Sequence, residues 1–328
     1  MQPDQQPRAS ARTLRRVTSG VGLLLSGLLA LAGRDAAAIA TSKVFLNGRV
    51  TPVHFSDGDS FRVLAGPLAG TSARMGGYNT LESFGPVHQW GGWTAKELYF
   101  NAKMATINAR RGVWHCTSDL SRDGYGRILW NCPDLAESQI RQGFGHAMTV
   151  TSAPSEAYLL RAQRKAQQER RGIWAHGIPD YIMTSNHSND EGYDGKTYNR
   201  LVSTRDGHSK KWYHSDIYKE CENVCSKTTR YDEAKLQDAV VALRQDATLA
   251  TFIGRYSDGQ LRGLLRTALV PEPLGGLLDE EHRKPLKTAI AAMRDAGALG
   301  TAQQVVDSCM IYVAFKRRYG RGSAACLH

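Results

Sequence analysis

The sequence predicts an α+β protein whose strand-rich first part is followed by a small all-α part, and three observations lead there. Between Lys43 and Met75, apolar and polar residues alternate in short runs broken by glycine-rich turns, the period-2 signature of half-buried strands. From Thr94 onward, and again beyond about residue 215, apolar residues recur three and four apart, as on one face of a helix. Between these regions, residues 178–207 are rich in Asn, Ser, Asp and Gly. The expected layout is an export signal over 1–40, a strand-rich domain over 41–177, a linker or hairpin over 178–210, and a helical, disulfide-stapled domain over 211–328.

The chain begins with Arg8, Arg12, Arg15 and Arg16, then an apolar run from Val17 to Ala32 made mostly of Leu, Gly and Ala. That run is shorter than the roughly 20 residues a membrane span needs. Ala36-Ala37-Ala38-Ile39-Ala40 offers small-residue cleavage positions, so we expect an export signal cut after Ala38 or Ala40 and a secreted or periplasmic protein. An uncleaved membrane anchor is the alternative. The net charge is +11; the first 40 residues carry five Arg and two Asp, three of those charges, which leaves +8. A basic surface attracts polyanions by counterion release.

Strands are expected over 43–75. Asp57-Gly58-Asp59 forms a hairpin turn between Val53 and Phe55 on one side and Phe61 and Val63 on the other. Thr94-Ala95-Lys96-Glu97 is a capping box, followed at helical spacing by Ala95, Leu98, Ala102, Ala105 and Ala109. Two further strands run from Val113 to Cys116 and from Arg127 to Cys132. A short helix ends near Gly143, and a longer one runs from Ser155 to Arg171, stopped by Gly172. Beyond the linker, a hairpin is expected from Tyr198 to Trp212 around Asp206-Gly207. Helical segments are expected at about 215–228, 231–246, 257–269, 285–297 and 300–318.

Six cysteines in an exported chain argue for disulfides. Cys116 and Cys132 flank the 123–127 turn, where a cross-strand bridge fits. Cys221 and Cys225 are four apart and share one face if their segment is helical, so they cannot easily bond each other. We expect them to pair with Cys309 and Cys326, in an order left open; a zinc site is the alternative, although the spacing matches no known finger.

The chemistry-bearing residues gather on neighbouring loops. Asp57 and Asp59 lie in the first turn; Arg74 leaves the next strand, followed by Asn79, Thr80 and Glu82. Oxygen donors suit a hard cation such as calcium, and an arginine offers a fork for phosphate. Phosphodiester chemistry follows. A third piece, Asp123-Gly124-Tyr125-Gly126-Arg127, is a turn feeding a strand.

Together, Asp-Gly-Asp-Ser at 57–60, Arg-x4-Asn-Thr-x-Glu at 74–82 and Asp-x-Tyr-Gly-Arg at 123–127 resemble the staphylococcal (thermo)nuclease family. Arg141-Gln142-Gly143 and Gly172-Ile173-Trp174 fall where that family has them, so the resemblance covers about residues 43–176. It implies a five-stranded Greek-key barrel of the oligonucleotide-binding (OB-fold) type. It also implies that Asp59, Asn79 and the carbonyl of Thr80 bind calcium or another divalent metal, and that Arg74 and Arg127 grip the scissile phosphate. Glu82 is then the general base or the orienter of water, Tyr125 contacts the phosphate end of a nucleotide, and Asp57 braces the metal loop. The implied substrates are DNA and RNA, with a monomeric protein and no stable protein partner.

Three departures stand out. Asn79 replaces the family's usual Asp and removes a negative charge from the metal site, and Leu81 replaces a proline. Residues 147–151 hold no aromatic where the family stacks a base, which leaves His88, Trp90 or Trp93 as stacking candidates unless they are buried against the barrel. Two functions stay open: an exported metal-dependent endonuclease, or a catalytically inactive barrel that binds nucleic acid or peptide. The joint presence of Arg74, Glu82 and Arg127 favours the enzyme. The basic run from Lys316 to Arg321 is a candidate contact for nucleic acid or an anionic surface.

Overall fold

The alternating segment becomes four antiparallel strands: β1 (Ser42–Leu46), β2 (Arg49–Phe55), β3 (Ser60–Val63) and β4 (Ser72–Met75). Their inward positions, Val44, Val53, Phe55, Phe61, Val63, Ala73 and Met75, are all buried, as the alternation requires. The computed structural model describes residues 41–192, 195–270, 280–314 and 324–327. The expected export signal and the basic run at 316–321 lie outside the described residues.

Strands β5 (Tyr78–Thr80) and β6 (Val87–Trp90) follow, then α1 (Ala95–Arg111), which starts at the expected Thr94–Glu97 capping box. After α1 come β7 (Trp114–Cys116), β8 (Ile128–Trp130), α2 (Pro133–Arg141), β9 (Gly145–Ala147) and α3 (Ala157–Gln168). The main sheet has the order β7-β1-β2-β3-β4-β8, six strands rather than the five expected, with β7 and β8 added parallel at its two ends. Those ends curl back to each other. Just past them, Thr117 and Asn131 exchange two backbone hydrogen bonds of 2.9 Å, and Cys116 is bonded to Cys132. The sheet is thus a nearly closed barrel whose seam is fastened by the expected disulfide.

Two glycines allow one close approach. Gly143 (φ +70°) and Gly172 (φ +49°) meet after α2 and α3, where an added Cβ would lie 2.3 Å from Arg171 O or 2.1 Å from Gly143 O respectively. Only glycine tolerates both the left-handed backbone and the contact.

Beyond the barrel, β10 (Tyr181–Ser185), β11 (Tyr198–Ser203) and β12 (Ser209–Tyr213) form an antiparallel sheet. The expected hairpin is present, as β11–β12, but the rest of 178–210 is folded rather than a linker. Next come β13 (Asn223–Tyr231), α4 (Glu233–Gln245), α5 (Asp258–Leu269), α6 (Glu280–Asp295) and β14 (Ala302–Ile311). Helices α4, α5 and α6 match three of the five helical segments expected and bury Leu236, Leu243, Leu261, Leu265 and Leu286 together. The first and last of those segments hold strands β13 and β14 instead, so the C-terminal part is mixed rather than all-α. Their β-branched residues, Val224, Thr228, Thr229, Val305, Val306 and Ile311, suit a pleated surface better than a helix.

Strand β14 pairs on one side with β13 and on the other with β6 of the first part. Residues Ala40–His328 accordingly form one unit instead of two domains joined by a linker. Cys225 lies opposite Cys309 in the β13–β14 ladder and is bonded to it, and Cys221 is bonded to Cys326. The partners are those expected, although the two cysteines reach them from a strand and its approach, not from a helix face. Three disulfides fit an oxidising compartment. Among the described residues, no helix is long and apolar enough to cross a membrane.

Candidate functional site

The site grows from the β2–β3 turn. Asp57 Oδ1 accepts from the Asp59 N–H at 3.2 Å, which folds the turn so that the Asp59 side chain is buried under it. Gly58 is required there: a Cβ would sit 2.6 Å from Thr80 Cγ2 and 2.7 Å from the Ala105 side chain. The Gly58 carbonyl accepts from Tyr78 Oη at 2.9 Å and from Gln139 Nε2 at 3.0 Å, which pins the turn to β5 and α2.

Register then delivers the arginine. Ser60 of β3 faces Arg74 of β4, and the Arg74 guanidinium donates through Nη1 to Asp59 Oδ1 and through Nη2 to Asn79 Oδ1. Asp59 Oδ2 accepts from the Thr80 N–H at 2.8 Å, and Ser60 Oγ donates to Oδ1 at 3.1 Å. Asn79 and Thr80 sit on β5, paired with β9, rather than on the loop expected. Because Arg74 takes the Asn79 oxygen, the Asn79 amide nitrogen must point the other way; it donates to Thr80 O at 2.7 Å and approaches His146 Nε2 at 3.4 Å. His146 Nε2 is therefore the acceptor, and its Nδ1 carries the proton toward Ala147 O at 3.2 Å. Burial pushes His146 down to about 4.

Charge in this cluster is unbalanced. Although Asp57 keeps partial contact with solvent, burial, then Asp59 and Glu82, push its carboxyl well above the usual range. Burial opposes the charge of Arg74, but Asp59, Asp57 and Glu82 together outweigh it and raise its pKa. Asp59 is bonded to the guanidinium, and Asp57 and Glu82 act on it electrostatically. Glu82 follows β5, and its N–H donates to Nε2 of His88 on β6 at 3.3 Å. His88 is buried and neutral, pushed down to about 3 by that burial.

The second arginine, Arg127, ends the turn that leads into β8, the parallel partner of β4 in which Leu129 lies opposite Arg74. Asp123 holds it, accepting from Nε and Nη2 at 2.7 Å and from the Arg127 N–H at 3.0 Å. Tyr125 projects into solvent with the Arg127 guanidinium 5.4 Å from its ring centre. Among the described residues, no hydrogen bond or ion pair joins Arg127 or Tyr125 to the Asp59–Arg74–Asn79 set.

The three expected cation-binding oxygens, from the Asp59 carboxylate, the Asn79 amide and the Thr80 carbonyl, do lie in one hydrogen-bonded set. Their chemistry fits a hard divalent cation, and so does the excess of carboxylates; the buried Thr80 hydroxyl, which has no hydrogen-bond partner, adds one more oxygen. The described residues hold no group of three His, Cys, Asp or Glu side chains placed around one point. The donor set is accordingly of mixed oxygens, and Arg74 now occupies two of them.

His88 and Trp90 are buried in β6, which removes them as stacking residues, and Trp93 is tied by its indole N–H to Ile173 O at 2.9 Å. Phe84 is the exposed ring instead, two residues from Glu82, with Lys103 Nζ 4.6 Å from its centre. Neither Phe84 nor His146 carried a sequence signal, because each depends on where β6 and β9 pair. No family model matches the chain, and no curated protein matches it.

Proposed function

We propose that this protein is an exported, metal-dependent nuclease similar to the staphylococcal nucleases. It would act as an endonuclease on phosphodiester bonds of DNA and RNA with low sequence specificity, working as a secreted or periplasmic enzyme. The observation that carries the reading is the Arg74 guanidinium bonded to Asp59 and Asn79 on an OB-like barrel, with Asp57 and Glu82 acting on its charge as well. An arginine kept charged beside carboxylates offers a planar fork that matches phosphate oxygens.

In this reading Arg74 turns from Asp59 and Asn79 to a phosphate oxygen, and Arg127 meets a second one as Tyr125 covers the phosphate end of the nucleotide. Glu82 holds the attacking water and accepts its proton as the P–O bond to the leaving nucleotide breaks. Asp59, Asn79 and Thr80 would hold calcium or another hard divalent cation. When bound, that cation supplies Lewis-acid polarisation of a phosphate oxygen. Asp57 braces the turn.

Glu82→Gln and Arg127→Ala should each lower turnover on single-stranded DNA by orders of magnitude while leaving the thermal midpoint near the parent's, since both groups act mainly on the transition state. Arg74→Ala also strands a buried Asp59, so its rate is to be compared per folded molecule. Near-parental rates in all three would overturn the assignment of these residues, and a parent without metal-dependent turnover would leave the inactive binding barrel as the better reading. That barrel is favoured by one observation, that Asp59 and Asn79 already engage both prongs of Arg74.

A further inference from the structure

We infer that the open end of the β11–β12 hairpin is a second binding surface for single-stranded nucleic acid, lying outside the barrel. Cross-strand register sets Tyr198 opposite Tyr213 and Arg200 opposite Lys211, so these four side chains share one face. Tyr213 is 53 % exposed, and the two tyrosine rings meet edge to face with centres 5.8 Å apart. Lys211 Nζ lies 4.4 Å from the Tyr198 ring centre, and the Arg200 guanidinium lies 5.7 Å from it. Among the described residues, no carboxylate pairs with either cation. Glu191, the acid near His187 beneath the Tyr198 ring, is already held by His187 Nδ1 at 3.1 Å and the Tyr312 hydroxyl at 2.6 Å.

The other end of the same face is closed. Val202 is fully buried, and Ser209 opposite it donates through its N–H to Thr151 O at 2.8 Å and through Oγ to Thr149 O. Those threonines follow β9, the partner of the strand bearing Asn79 and Thr80. The face therefore starts against the barrel's site strands and runs out along β12 for roughly 13 Å, at about 3.3 Å per residue.

The exposed Tyr213 ring, the half-buried Tyr198 ring beside it and two cations that no carboxylate pairs among the described residues offer stacking and phosphate contacts to an unstacked strand. A duplex keeps its bases stacked and would offer only phosphates to such a face, so the fit is to single strands. A purely anionic partner uses the cations but not the rings. The choice of nucleic acid over other polyanions rests on the nuclease reading, and the surface would hold the strand leading away from the cleaved bond.

The test is anisotropy of a fluorescein-labelled oligo(dT) of about 15 nucleotides, a length covering one such site, with full-length mature protein in chelator. Stacking on a ring carries enough affinity that Tyr213→Ala should bind about tenfold more weakly, and Tyr213→Phe should bind as the parent does. Arg200→Gln combined with Lys211→Gln should flatten the slope of log affinity against log salt by about 1.4, or 0.7 per phosphate contact on a single strand. Heparin binding should respond to the charge variants and not to Tyr213→Ala. Parental DNA affinity in Tyr213→Ala, or equal losses on DNA and heparin for every variant, would overturn the inference. Hydrolysis of thymidine 4-nitrophenyl phosphate, too small to span both places, reads the barrel alone. If the variants lose oligonucleotide binding and the parent cannot cleave the small diester, this surface stands and the nuclease reading falls. If the diester is cleaved and binding is unmoved, the reverse holds.

Discussion

Asn79 links the two halves of the candidate site, because one side chain satisfies Arg74 with its oxygen and Thr80 and His146 with its nitrogen. An aspartate has no N–H to give, so Asn79→Asp sets a carboxylate oxygen against the Thr80 carbonyl. Without metal the variant should be less stable by about 1–3 kcal/mol, the cost of an unsatisfied buried acceptor. With calcium the sign reverses, since the extra charge and the released Thr80 carbonyl both favour a hard cation. Calorimetric titration should give a tighter calcium constant, and calcium should raise the melting temperature more in Asn79→Asp than in the parent. An unchanged constant would remove Asn79 from the ligand set.

His88 gives a pH dependence with a definite sign. Its folded pKa is depressed to about 3 from an unfolded value near 6.5, so the unfolded chain binds its proton more readily. The stability this represents is present above pH 6.5 and is lost as pH falls toward 3. Between pH 6.5 and 4.5 the loss amounts to roughly 2–3 kcal/mol, at 1.36 kcal/mol per unit. Urea unfolding at pH 7 and pH 4.5 should show a smaller difference for His88→Gln than for the parent. Equal differences would mean that His88 accepts a proton without unfolding the chain.

At the scale of elements, the barrel is a sheet with two ends, and the Cys116–Cys132 bond fastens them. The bond closes a loop of 16 residues in sequence separation, a constraint worth about 3 kcal/mol. Replacing both cysteines by alanine should lower unfolding free energy by about that amount and speed hydrogen exchange first at Thr117 and Asn131. Exchange that quickens elsewhere first would show that the seam is held by the core instead.

The same scale explains what could be read in advance. Strands β1 to β4, the turn at 57–59, the capping box and α4 to α6 rest on local pattern, and local pattern is visible in a sequence. So was the grouping of Asp57, Asp59, Arg74, Asn79 and Thr80, since a hairpin and the next strand bring them together. Strands β13 and β14 carry a mixed spacing of apolar residues that fits either period until a partner strand is known. The burial of His88 and Trp90 and the approach of His146 to Asn79 come from pairings remote in sequence, β6 with β14 and β5 with β9, which no local pattern encodes. Arg127 is held by Asp123 rather than by the cluster.

For the molecule as a whole, β14 makes the C-terminal third a structural partner of the barrel's site region. Its Ser308 to Ile311 pair with Trp90 to Val87, five residues beyond Glu82. Asp307 accepts from the backbone N–H groups of Asp180 at 2.7 Å and Tyr181 at 2.8 Å, tying β10 into the same junction. A chain cut after residue 177 would expose Val87 and Trp90 along an unpaired edge. We expect fragment 41–177 to be less stable than the whole protein and to self-associate, as sedimentation and chemical denaturation would register. A monomeric fragment that unfolds as cooperatively as the full chain would show that the barrel stands alone.

That late pairing also has a consequence in time. Strands β6 and β14 are separated by about 220 residues, and contacts so remote in sequence form slowly because a long loop must close first. A chain threaded through a membrane from its N-terminus presents β6 long before β14 emerges, and the Cys225–Cys309 bond that steadies the ladder can only be oxidised afterwards. Until β14 arrives, the segment next to Glu82 lacks its neighbour. For the exported nuclease proposed above, completion of the site would thus wait for the last strand to arrive.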